Sequence, residues 1–189
     1  MELLALLASP LLGALLLGAL GARRWAPELN VAMSLLTFLA ACALTARVVG
    51  EGDLLLAREQ FFIDPFNVFL VTLTAFVGLT TSLFSRPYMR VEMHHGRLSA
   101  PRLRLYHSMY QLFMTTMLVA LTTNNMGLLW VAVEAATLST VLLVTLYRTA
   151  ASLEAGWKYF ILCGVGIAQA LFGTILLYVA AEDFFGREI

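Results

Sequence analysis

The sequence predicts an all-α integral membrane protein of about six transmembrane helices, and three observations lead there. Hydrophobic residues make up 60% of the 189-residue chain, charged residues only 13%, and mean hydropathy is +0.84. Soluble domains are about 45–50% apolar and about 25% charged, so lipid must solvate most of this surface. The apolar residues gather into six runs, each close to the length that a helix rising ~1.5 Å per residue needs to cross a ~30 Å hydrocarbon core. The arginines, finally, collect in alternate connections. A single transmembrane domain, 1–189, accounts for all three.

The first run, 3–22, has no basic residues before it and is too long for the apolar region of a signal peptide; Arg23 and Arg24 follow it. It is expected to be an uncleaved span with its N-terminus outside. The second and third runs cover 29–50 and 65–85. A basic connection, 86–104, then leads to runs at 106–123 and 126–147. These two are divided at Asn124 and Asn125, with Gly127 beyond. Undivided, they would form a helix twice the required length, and Asn-Asn beside Gly is turn chemistry. The last run is 153–181.

Arg23, Arg24, Arg86, Arg90, Arg97, Arg102, Arg104 and Arg148 lie in the connections after spans one, three and five, whereas the opposite side has Arg47, Arg58 and Arg187. Positive charge stays in the cytoplasm, so both termini are expected on the outer side of a cell (inner) membrane. Trp25, Tyr88, Tyr147, Trp157 and Tyr159 suit the cytoplasmic interface.

Several function classes are excluded. No basic domain is present to bind nucleic acid. Cys42 and Cys163 stand alone in separate apolar runs and read as small packing residues. His94 and His95 are adjacent on a connection without further ligands, so neither a metal nor any other cofactor is expected. The basic connection reads as a surface near anionic headgroups or a partner subunit.

The candidate site is polar chemistry inside the membrane. Glu134, in an otherwise apolar span, falls roughly 12 Å below the outer boundary, near the midplane. An ionised carboxylate costs about 2.5–3.5 kcal/mol there even on insertion-based scales. A carboxyl balanced between protonated and ionised states by a nearby charge is what a proton relay requires; the alternative is a structural acid bonded to a neighbouring helix. Lys158, the only lysine, lies about one turn inside span six, where it serves either the relay or the interface. Gln169 is eleven residues on and nearly on the same face. His107, Gln111 and Thr115 follow an i, i+4 spacing in span four, with Thr122 two turns later. Such a stripe either holds a water chain toward Glu134 or bonds its own carbonyls. Gly164 with Ala168 and Gly166 with Ala170 give small-xxx-small packing positions.

Trp130 and Glu134, followed by Lys158-Tyr159-Phe160, resemble the Trp–x(2–3)–Glu and Lys-[Tyr/Phe]-Phe motifs of antiporter-like subunits shared by respiratory complex I, Mrp antiporters and membrane-bound [NiFe] hydrogenases. The segments Phe62-Ile63-Asp64-Pro65-Phe66-Asn67 and Ser85-Arg86-Pro87-Tyr88-Met89 resemble that family's entry to and exit from helix three. The wording around Glu134 and Lys158 is closest to the family's hydrogenase-4 branch. The resemblance implies that Glu134 and Lys158 are the family's helix-five and helix-six charges, and that the chain is the N-terminal part of a fold of about fourteen helices in inverted repeats. The glutamate's lysine partner would lie on a seventh helix beyond Ile189, in a longer, truncated or split product. The resemblance further implies a non-redox, proton-translocating subunit beside other membrane and peripheral subunits of a hydrogenase or NADH dehydrogenase-like complex. A structural or assembly subunit, or a sodium–proton antiporter component, are the alternatives.

Overall fold

The computed structural model describes residues 1–21, 23–56 and 60–185, with side chains as far as Glu182. Arg58, Arg187 and the chain end at 186–189 lie outside the described residues. Six helices succeed one another: α1 (Glu2–Leu20), α2 (Ala26–Glu51), α3 (Pro65–His94), α4 (Ala100–Thr122), α5 (Met126–Val144) and α6 (Ala150–Phe185). Between α2 and α3 lies an antiparallel hairpin, β1 (Leu54–Leu56) with β2 (Phe61–Ile63).

Five of these helices are long and apolar enough to cross a membrane. The other, α4, carries Arg102, Arg104, His107, Gln111, Thr115 and Thr116. Its position explains that composition: α4 packs against α1, α2, α3 and α5, so His107, Gln111, Thr115 and Thr116 meet protein instead of lipid, while Arg104 stays exposed near the start of the helix. Hydroxyls clamp the helices together, as expected where lipid removes the hydrophobic drive between them. Ser9 meets Thr37 at 2.8 Å, Thr45 meets Thr72 at 2.6 Å, and Ser108 donates to the Ala14 carbonyl at 2.8 Å. The Tyr110 hydroxyl donates to the Gly78 carbonyl.

Two apolar clusters close the ends of the bundle. Leu6, Leu44, Val48, Ile63, Val71 and Leu118 pack at the hairpin end. Met89, Leu98, Leu103 and Leu146 pack at the arginine-rich end.

The structure departs from the sequence reading in two places. Residues 86–104 are mostly helical: α3 continues through Pro87 to His94, α4 begins at Ala100, and only 95–99 connect them. Glu92, its carboxylate buried, pairs with Arg97 at 3.0 Å across this turn, and Gly96 takes the positive φ of 69° that the reversal needs. The hairpin is the second departure, because three-residue strands leave no readable alternation. It is laced to the α4–α5 turn: Asn124 N–H donates to the Gln60 carbonyl at 2.7 Å, and Asn125 Nδ2 donates to Gln60 Oε1 at 3.2 Å.

Candidate functional site

Asn125 starts α5 by accepting the Leu128 N–H on its side-chain oxygen at 3.0 Å, which satisfies one of the free donors of the first turn. Glu134 is eight residues beyond Met126, about 12 Å along the helix. It lies about 140–160° round α5 from the buried Ala132, Ala136 and Ser139, and about 60° from Thr137, which is also buried. The carboxylate is half-buried and makes no hydrogen bond or ion pair among the described residues.

Trp130, one turn before Glu134, donates its Nε1–H to the Ile167 carbonyl of α6 at 2.9 Å. Thr140 meets the Tyr159 hydroxyl at 3.0 Å. These two clamps set the antiparallel register of α5 and α6. Glu134 therefore stands roughly level with Gly164, and Lys158 roughly level with Thr140, about 9 Å apart in depth. Lys158 is nonetheless turned the other way, into an ion pair at 2.5 Å with Glu154, one turn nearer the end of its helix. The two charged groups are not brought together. Gln169 is exposed on α6, a helix whose membrane-length stretch has no buried residue.

His107, Gln111, Thr115 and Thr122 are all buried. Gln111 Nε2 lies 2.9 Å from Asn30 Oδ1, 3.0 Å from the Asn30 carbonyl and 3.0 Å from Ser34 Oγ, joining α4 to α2. Thr115 donates to the Gln111 carbonyl at 2.9 Å and Thr122 to the Leu118 carbonyl at 2.8 Å, so both hydroxyls engage their own helix. Asn30 Nδ2, Gln111 Oε1 and both His107 nitrogens are buried without a protein partner among the described residues. At Gln111 the polar chemistry of span four is directed into the contact with α2.

Asn30 and Ser34 escaped the sequence reading. They stand four residues apart on α2, with Thr37 three further on, a helical spacing of polar residues inside an apolar run. That spacing was available as a signal.

Residues 123–185 match the family described as NADH:quinone oxidoreductase/Mrp antiporter, transmembrane. The chain is 46% identical over 187 residues to the hydrogenase-4 component F homolog of Methylacidiphilum infernorum, covering 99% of this chain and 38% of the relative. It is 36% identical over 106 residues to NADH-quinone oxidoreductase subunit N 1 of Opitutus terrae, covering 56% of this chain and 20% of that one. The chain therefore spans well under half the length of these relatives. The fold also matches a chain of the membrane-bound sulfane sulfur reductase, an archaeal respiratory membrane complex, with a TM-score of 0.78 at 20% identity. That match covers 95% of this chain and 38% of the other, and the likeness is one of fold.

Proposed function

We propose that this chain, which belongs through residues 123–185 to the NADH:quinone oxidoreductase/Mrp antiporter transmembrane family, is part of a proton-translocating subunit of a hydrogenase- or complex I-like respiratory assembly. Glu134 is its proton carrier. The observation that carries this reading is a half-buried carboxylate near the middle of an apolar helix, without a protein partner among the described residues. A group so placed changes charge readily when a cation approaches or withdraws. Lys158, held by Glu154, would act by exchanging that partner for another. Electron transfer would occur in other subunits, with this one passing protons.

The test is Glu134→Gln in the assembled complex, reconstituted into vesicles. The complex should form and keep its electron transfer while coupled proton movement falls to background. Pumping at the wild-type rate refutes the relay. For the topology, we propose the arginine-rich turns on the cytoplasmic side of the inner membrane. A cysteine introduced at Arg97 should then be labelled by an impermeant thiol reagent only from that side.

A second reading, a structural or assembly subunit without its own ion path, draws support from the Lys158–Glu154 pair and from the absence of a cation beside Glu134 among the described residues. It expects Glu134→Gln to leave pumping intact, and Gln111→Leu to impair assembly.

A further inference from the structure

At the arginine-rich end, a pocket of about 510 Å³ opens between the α1–α2 turn and the end of α3. Its rim carries Arg23, Arg24, Arg90 and His94; Pro27, Met89, Met93 and Leu103 supply apolar surface. Neither Arg23 nor Arg24 has a carboxylate within ion-pair distance among the described residues; Arg23 instead lies 5.9 Å from the centre of the Trp25 ring. The nearby acid is Glu28, and it is already engaged by Arg86 at 2.5 Å, with Arg90 farther off at 3.8 Å. Only Arg86 and Arg90 reach Glu28, so the charges of Arg23 and Arg24 are left unanswered among the described residues.

Height in the membrane decides what such a pocket takes. The 19-residue α1 is about 28 Å long, so the turn that follows it comes at the edge of the hydrocarbon, where Trp25 is suited to sit. Lipid phosphates lie at this level. Guanidiniums on the rim match a phosphodiester in charge and in donor geometry, and thioethers and leucine beneath match the first methylenes of acyl chains. An acidic peptide would meet the same charges but leave the apolar surface unused.

We propose that this pocket is a binding site for the headgroup of an anionic phospholipid, held by Arg23, Arg24 and Arg90. The site is separate from Glu134 and does not depend on proton transport.

The purified full-length chain, stripped of lipid in neutral detergent, is titrated with phosphatidylglycerol or phosphatidylcholine and followed by native mass spectrometry. One phosphatidylglycerol should bind in preference to phosphatidylcholine. The triple variant R23Q/R24Q/R90Q should lose on the order of a hundredfold in affinity for it, while R148Q, at the α5–α6 turn, should bind as wild type. Millimolar inorganic phosphate should fail to displace the lipid. Unchanged circular dichroism guards against unfolding; if the triple variant is misfolded, R24Q alone carries the test and should show a smaller loss. Equal binding of the two lipids, wild-type affinity in the arginine variants, or full displacement by phosphate overturns the proposal. So does protection of these arginines from phenylglyoxal by an acidic partner subunit in the delipidated complex.

Discussion

At the residue scale, Gln111 and the threonines of the same stripe have different physical standing. Gln111 reaches another helix, so Gln111→Leu leaves Asn30 and Ser34 without their shared donor. Interhelical hydrogen bonds in membranes average about 0.6 kcal/mol, with a maximum near 1.7; a cluster this buried belongs toward the upper value, about 1–2 kcal/mol, read as a shift in the unfolding midpoint in detergent. Thr115→Val and Thr122→Val remove bonds to the residues' own helix, and both are expected within about 0.5 kcal/mol of wild type. The α4 stripe was legible in the sequence, because four-residue spacing is a local property. Its destination was not, since Asn30 is 81 positions away and periodicity does not say which helix a face meets. A further residue-scale test is Arg148, which takes a positive φ of 51° in the α5–α6 turn. Bulky residues occupy that region at a cost, so Arg148→Gly is expected to stabilise the turn by up to about 1 kcal/mol, measured by thermal unfolding.

At the element scale, the α5–α6 pair depends on a few side-chain clamps. Most of α6 is exposed, and Trp130 supplies a hydrogen bond near the middle of the pair. Trp130→Phe keeps the aromatic bulk and removes the Nε1–H, with an expected cost of about 1 kcal/mol and faster amide exchange confined to α6. The start of α6 matters equally, because it fixes how far along its helix Lys158 stands. Hydropathy alone places this lysine one turn inside its span, since the apolar run begins at residue 153. The helix begins at Ala150, before the apolar stretch, as Thr149 accepts the Ser152 N–H on its hydroxyl at 3.1 Å. Lys158 is therefore about two turns into its helix, and the α5–α6 clamps put it about 9 Å from Glu134 in depth. Hydropathy marks where lipid contact starts; caps mark where helices start.

At the scale of the whole molecule, the helix richest in polar groups is surrounded by four others, and one of the most apolar lies at the edge. Apolar character in a membrane reports exposure to lipid or to another apolar helix, the inverse of its meaning in water. A membrane-soluble carbene reagent should accordingly label Phe172 and Leu176 of α6 strongly in the isolated chain and spare Leu118 of α4. The all-helical membrane class was legible from composition and run length. The hairpin was not, for its strands are three residues long and it is fastened through Gln60 to the α4–α5 turn, a pairing that no local pattern announces.

That hairpin has a consequence for Glu134. The carboxylate's position along α5 is counted from Asn125, and Asn125 is fastened to Gln60 in the connection between α2 and α3. The connection between α2 and α3 thus works as a ruler's zero mark for a group about 12 Å away. One residue inserted between Met126 and Glu134 would sink the carboxylate by ~1.5 Å and swing it by about 100°, toward a different neighbour. On the role proposed for Glu134, a lesion in an apolar stretch with no chemistry of its own would then read, in a transport assay, like loss of the acid itself.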